Sequence, residues 1–326
     1  MLTEVLVSPP LGDVTLALRG PANAVRRLTD FAAPFLVERQ HPVGPLWTIE
    51  LRETLPADAR LTGEPPEPAH HMTCSGRHVV IACDRPEWMP VLVTRYVRTL
   101  TRAMAVANGA IPLHGAAIEV GGTGVLLVGR KWAGKTTASL SLVRCGDGAL
   151  VSNDDVLLVA TDNRWDAVGG PRAVGIRTDS LAQHRPVLTA EALAGAATRH
   201  PATREDKAFL LVAEVPALGG RVASRARADV VIELCSDPEL TTPVAERLDG
   251  DEIRALLAEH LETGADRRRH GFLAAVGAPV PELSEHAVGS LATRLRYHRY
   301  THPVRDWVDS FLDFVRSEIH HEVITT

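Results

Sequence analysis

Gly129-Arg130-Lys131-Trp132-Ala133-Gly134-Lys135-Thr136-Thr137 is a complete G-x-x-x-x-G-K-[ST] run. Such a run has meaning where a strand enters it and a helix leaves it. Here the apolar Gly124-Val125-Leu126-Leu127-Val128 precedes it, and the alanine-containing stretch Thr137-Ala138-Ser139-Leu140-Ser141-Leu142-Val143 follows. Gly129 and Gly134 permit the tight turns that bring successive backbone N–H groups to phosphate oxygens. The helix beginning at Lys135 directs its positive dipole end at the same anion. Lys135 supplies a point charge for the β/γ-phosphates, and the Thr136 hydroxyl is a ligand type suited to Mg²⁺. Residues 129–137 are therefore expected to contact a nucleoside triphosphate with its Mg²⁺.

Phosphoryl transfer needs an acidic partner as well as a phosphate cradle. Asn153-Asp154-Asp155 interrupts two apolar runs about twenty residues beyond the loop. One carboxylate there can hold Mg²⁺ or take a proton from an attacking hydroxyl; the alternative is an Asp pair that caps a strand in water. Arg177 and Lys207 are further cations near apolar runs, and Arg130 and Lys131 lie within the loop itself. Three other clusters read as bland. His70-His71 with Cys74 reads as a surface loop, because no second ligand pair stands at metal-site spacing. Arg267-Arg268-Arg269-His270 reads as a solvated basic run, with a lid or guide for an acidic acceptor as the other reading. Arg296-Tyr297-His298-Arg299-Tyr300 reads as a strand with polar edges.

The elements that must position these residues follow from pattern. Residues 1–108 read as a small α+β region. Alternation predicts strands at Val14–Leu18 and Trp47–Leu51, with another at Arg77–Ala82. A helix is expected from Pro90 to Ala107, stopped by Asn108-Gly109. Residues 109–326 read as the nucleotide-binding region. There, Ala117–Val120 and Gly124–Val128 flank a Gly121-Gly122-Thr123 turn, and strands follow at Ala149–Val151, Val156–Ala160, Ala208–Ala213 and Val230–Leu234. Helices are expected at Glu252–Leu261 and along the stripe Val304, Trp307, Val308, Phe311, Leu312, Val315, Ile319.

Composition narrows the partners. With 35 basic and 40 acidic residues and a net charge of −5, no basic face for nucleic acid is implied. Four scattered cysteines suit a reducing compartment. The N-terminus lacks the pattern of a signal peptide, and no apolar run approaches eighteen residues. A cytoplasmic protein with no membrane partner is the expectation.

The stretch Leu113-His114-Gly115-Ala116-Ala117-Ile118, then Gly124 to Gly129, Ala133-Gly134-Lys135-Thr136, Leu142, Gly146 and Leu150-Val151-Ser152-Asn153-Asp154-Asp155 resembles the core of the HPr kinase/phosphorylase family over about forty-five residues. It is more similar to the HPr-kinase-related proteins of biosynthetic clusters than to the regulatory enzyme. The resemblance implies an α/β fold: a P-loop kinase core of the HPr kinase/phosphoenolpyruvate carboxykinase type, a mixed sheet with flanking helices. It also implies an ATP-dependent kinase activity on a hydroxyl, with ATP rather than GTP as the nucleotide and Ser or Thr of a peptide or protein as acceptor. A small-molecule kinase acting on an amino acid or another alcohol, and a nucleotide-gated ATPase or binding protein that phosphorylates no acceptor, are the alternatives. Residue by residue, Lys135 and Thr136 match the phosphate and Mg²⁺ ligands, Asp154 the acid/base aspartate and His114 the active-site histidine; Asp155 is then a second metal ligand. The Asp register is open by one place. The regulatory members form hexamers, which leaves a homo-oligomer open. The family's Glu-Ile-Arg-Gly-x-Gly stretch has no counterpart; the nearest text is Val174-Gly175-Ile176-Arg177.

Overall fold

In the computed structural model, the described residues are 2–10, 14–63, 67–145, 148–170, 172–177, 200–204, 206–262, 272, 274 and 284–323. They form a mixed α/β protein with parallel and antiparallel pairing in the same sheets.

The alternation in the first hundred residues becomes one sheet. Its strands are β1 (Leu2–Ser8), β2 (Thr15–Pro21), β3 (Val37–Arg39), β4 (Leu46–Arg52), β5 (Leu61–Thr62), β6 (His70–Ser75) and β7 (His78–Ala82), in the order β3-β1-β2-β4-β7-β6-β5. In β4 the period of two buries Trp47, Ile49 and Leu51 on one face. Helices α1 (Ala22–Ala32) and α2 (Met89–Ala107) are enclosed with it in a core containing Leu28, Val93, Val97 and Leu100. Proline in its first turn starts α2, and Gly109, at φ 89°, follows its cap Asn108. The His70/His71/Cys74 cluster is not a loop: it lies on β6, where His70 is buried with its Nε2 3.0 Å from the Tyr96 hydroxyl. Among the described residues no group of three or more His, Cys, Asp and Glu is arranged to hold a metal ion.

From residue 111 the chain alternates between two sheets. The larger contains β9 (Ala116–Val120), β10 (Thr123–Val128), β11 (Ala149–Ser152), β16 (Arg221–Val222), β18 (Val230–Ser236), β19 (Val244–Arg247) and β20 (Arg296–His302), in the order β16-β11-β9-β10-β18-β20-β19. The smaller has β17 (Arg225–Ala228), β13 (Trp165–Val168), β12 (Asp155–Ala160) and β8 (Ile111–His114), in that order. A two-stranded ribbon pairs β14 (Val174–Arg177) with β15 (Lys207–Leu210). Helix α3 (Lys135–Cys145) follows β10, with α4 (Gly250–His260), α5 (Glu285–Arg294) and α6 (Val308–Val323) later in the chain. Asp249 caps α4 through the N–H groups of Asp251 and Glu252.

Two corners of this zigzag set up everything below. The chain crosses from the smaller sheet to the larger at Gly115, between β8 and β9, and back again at Asn153-Asp154, between β11 and β12. The corners touch: the Gly115 N–H donates to the Asp154 carbonyl at 3.1 Å, and His114 is the register partner of Asp155. This explains why polar residues interrupt two apolar runs, since a chain changing sheets loses its ladder partners and needs others.

Two expectations shift. The strand expected at Ala208–Ala213 ends at Leu210 and gives way to a 3₁₀ turn at Val212–Leu218, which holds Pro216. The last helix starts at Val308, leaving Val304 exposed, while Trp307 is buried just before it. The basic run Arg267–His270 lies outside the described residues.

Candidate functional site

The Gly129–Gly134 loop joins the buried strand β10 to α3. Gly129 has φ 141° and Gly134 φ 87°, conformations that L side chains rarely adopt. A Cβ on Gly134 would stand 2.8 Å from Cζ2 of Trp307. Below the loop, His302 at the end of β20 stacks on Trp307 at 3.9 Å and donates through Nε2 to the Ala133 carbonyl at 3.1 Å. Trp132 also holds a positive φ of 79°, a strained setting for a large residue, and is 61% exposed.

The Lys135 ammonium is folded inward on the loop, where it donates to the Gly129 carbonyl and, at 3.3 Å, to that of Arg130. Burial pushes its pKa down, and the nearby Asp154 charge opposes that shift. Thr136 and Thr137 are half-buried in the first turn of α3. Two glycine turns, an inward cation and a hydroxyl at a helix N-terminus fit a phosphate chain with its cation. Arg130 is exposed and pairs with Glu259 on α4 at 2.8 Å, while the Lys131 ammonium lies 5.7 Å from the centre of the Trp132 ring.

The crossover corners bring the Asp pair to the same place with different surroundings. Asp154 lies 3.6 Å from His114 Nδ1 and pairs with Arg172. Asp155 is surrounded by guanidinium groups: Arg172 at 2.7 Å, Arg98 at 2.9 Å and Arg102 at 3.7 Å. Burial raises its pKa, but Arg98, Arg172 and Arg102 together outweigh that and hold the carboxyl far below the usual range. Its expected role as a metal ligand meets a competitor here, because both oxygens already serve arginines.

Arg172 bridges the two aspartates, so Asp154 is oriented by a group that Asp155 fixes. Arg98 and Arg102 are one turn apart on α2 and reach the same carboxylate. Asp155→Asn is expected to take the shared carboxylate from three half-buried guanidinium groups and cost about 3 kcal/mol, read as a lower denaturation midpoint. A depressed folded pKa also stabilises above the unfolded value of about 3.9 and loses that stabilisation as pH falls through the folded value. The wild type is therefore expected to lose stability below about pH 4 more steeply than Asp155→Asn.

His114 sits between two carboxylates, with Nδ1 3.6 Å from Glu262 as well as from Asp154. The Glu262 contact raises its pKa, against burial and the Lys135 charge. Glu262 reaches this spot because the chain leaving α4 bridges onto β8: Leu261 pairs with Leu113, and the Glu262 N–H donates to Pro112 at 3.0 Å. Glu262 also pairs with Arg102, linking His114 to the arginine group. His260, two residues back at the end of α4, is buried with no hydrogen-bond partner for Nε2 among the described residues, and burial pushes its pKa down. Lys135, Glu233 and His114 are among the charges it senses. On β18, Glu233 lies in parallel register with Val128 and binds Arg299 at 2.8 Å; Arg299 also reaches Glu246 and Glu252, tying α4 to the sheet.

Arg172, Glu262, Arg98, Arg102 and His260 were missed by the sequence reading. Each comes from an element whose own pattern looks ordinary. The one available signal is the arginine spacing at 98 and 102 on an otherwise apolar helix.

No family model matches the chain, and no curated protein matches it. Among solved structures, the chain is similar to the Hpr(Ser) kinase/phosphatase from Coxiella burnetii, at 12% identity and a TM-score of 0.35, over 65% of this chain and 97% of that one. No helix among the described residues is long and apolar enough to cross a membrane.

Proposed function

We propose that this chain is an ATP-dependent phosphotransferase that moves the γ-phosphate to a hydroxyl, with serine or threonine of a peptide or protein as the favoured acceptor. The observation that carries this is one corner of the fold where an inward-folded loop lysine, Lys135, feels the charge of Asp154, a carboxylate braced by Arg172 and His114. In the reaction, the acceptor oxygen bonds to the γ-phosphorus as the bridging bond to the β-phosphate breaks. ADP leaves with that electron pair, and the hydroxyl proton passes to Asp154. Lys135 and the loop N–H groups hold the phosphate chain, and His114 adds positive charge beside the base when protonated. Mg²⁺ would be held by Thr136 and, when bound, neutralises phosphate charge. Asp155 is assigned here to positioning Arg172 rather than to the metal, because its oxygens are engaged.

Residues 1–108 are proposed to contribute to acceptor recognition and 109–326 to form the kinase unit, in a cytoplasmic protein. Label transfer from γ-labelled Mg·ATP into size-fractionated extract tests the whole reading. Label in a peptide, protein or small-molecule fraction, absent with Asp154→Asn, is the expected outcome. Label found only as inorganic phosphate, at equal rates for both proteins, would replace the kinase with a nucleotide-gated ATPase.

A further inference from the structure

Side chains of alternating charge close a ring around the corner where the chain changes sheets. Asp154 stands 3.6 Å from His114 Nδ1, and the same nitrogen stands 3.6 Å from Glu262. Glu262 pairs with Arg102, Arg102 lies 3.7 Å from Asp155, and Arg172 returns from Asp155 to Asp154. Arg98 backs Asp155 from outside the ring at 2.9 Å. Signs alternate all the way round once the imidazole carries its second proton. Arginine keeps its charge at any working pH, so His114 is the one cation of the ring that can lose it near neutrality.

Glu262 is not a loose surface acid. The chain leaving α4 borders β8: Leu261 bridges to Leu113, and the Glu262 N–H donates to the Pro112 carbonyl at 3.0 Å. The strand that carries His114 and the carboxylate that faces it are thus laced together through the backbone. On the other side, the Gly115 N–H donates to the Asp154 carbonyl at 3.1 Å. Burial raises the Glu262 pKa, but the His114 and Arg102 contacts outweigh that and hold its carboxyl below the usual range. At His114 the Glu262 contact comes first and Asp154 adds to it, while burial and the Lys135 charge oppose them. His260, at the end of α4, senses the His114 charge as well. The two nitrogens of an imidazole lie on different edges of the ring, and the bond made by one fixes what the other presents. With Nδ1 turned to the two carboxylates, Nε2 makes no hydrogen bond or ion pair among the described residues, in a side chain that is 42% exposed.

We propose that Glu262 is a positioning residue for the transfer. With Asp154 it holds the His114 imidazolium by Nδ1–H, and so presents Nε2–H as a donor to the oxygens of the transferring phosphoryl group. This rests on the phosphotransferase reading above and adds to it a donor and the group that supports that donor. Glu262 touches neither nucleotide nor acceptor. It keeps the ring charged and in one orientation, so the donor is already aimed when charge develops on the phosphoryl oxygens. His114 gives up no proton in the step; the acceptor's proton still passes to Asp154.

The test compares equilibrium binding of Mg·ADP with and without aluminium fluoride, which completes a mimic of the transferring group. In the wild type, fluoride should tighten Mg·ADP binding at least tenfold. His114→Ala and Glu262→Gln should each lose most of that gain, while binding Mg·ADP alone within about threefold of the wild type. Arg102→Gln leaves both carboxylates on His114 and should keep most of the gain. The second readout is the nitrogen NMR signature of His114. At neutral pH both ring nitrogens should be protonated in the wild type, and the ring should shift toward its neutral form in Glu262→Gln. His114→Ala leaves the Glu262–Arg102 pair in place, so the donor is tested even if Glu262→Gln does not fold. No fluoride gain in the wild type, a full gain in Glu262→Gln or His114→Ala, an equal loss in Arg102→Gln, or a neutral His114 in the wild type would each overturn the assignment. Failure of the wild type to bind Mg·ADP at all would instead remove the phosphotransferase reading.

Discussion

Lys135→Ala is expected to weaken Mg·ATP binding about a hundredfold. The ammonium is the one cation folded into the loop, where it contacts the Gly129 and Arg130 carbonyls. Two charge-assisted bonds to phosphate at about 1.5 kcal/mol each give about 3 kcal/mol, or roughly two decades in affinity. Thermal denaturation with and without nucleotide separates this from damage to the fold. A ligand at a hundred times its Kd adds about 2.7 kcal/mol to wild-type stability, and the variant should gain almost none of it. Without ligand the two midpoints should nearly coincide, since the loop carbonyls left by Lys135 can turn to water. Arginine is not expected to rescue, because a planar fork cannot replace a compact ammonium in so tight a turn. An unchanged affinity for Mg·ATP in the alanine variant would remove the basis of the nucleotide reading.

Asp154→Asn should leave nucleotide affinity within about threefold and reduce transfer by about 10²–10⁴, the range for loss of a general base. Asparagine keeps the size of the side chain and can still accept from Arg172, so the cage around Asp155 should persist. The contrast with Asp155→Asn is the informative part. The first substitution is expected to abolish turnover in a protein of nearly normal stability. The second should lower stability first and turnover through it, by releasing Arg172 from its second carboxylate. If Asp154→Asn retains full transfer while a folded Asp155→Asn loses it, the base belongs at Asp155 and the register between the two is the other one. Single-turnover label transfer at saturating Mg·ATP distinguishes these outcomes.

Local pattern made much of the architecture legible. Strand alternation at Trp47–Leu51 and the apolar run before Gly129 depend on neighbours two or four residues away, so the sequence carries them openly. The Gly121-Gly122 turn is of the same kind: both glycines adopt positive φ, as a two-residue hairpin requires. Misreadings came where tertiary contacts overrode local polarity. His70 looked like part of a solvated loop, yet a partner on α2, Tyr96, makes its burial on β6 affordable. The last helix was drawn back to Val304 because its apolar spacing continues, although the chain turns at Asp306, which has a positive φ of 58°.

What the sequence by itself determined is the glycine-bounded loop at 129–134 with its flanking strand and helix, and the presence of two adjacent carboxylates as candidates for one job. A loop of that kind is built by consecutive residues, so its chemistry is written in order along the chain. The tertiary structure decided how the two carboxylates differ. Arg98 and Arg102 from α2, Arg172 from the approach to β14 and Glu262 from the exit of α4 converge on one corner where the chain changes sheets. Electric fields depend on distance in space rather than along the chain. No spacing rule could therefore tell which aspartate would be locked among arginines and which would stand beside His114 and Lys135.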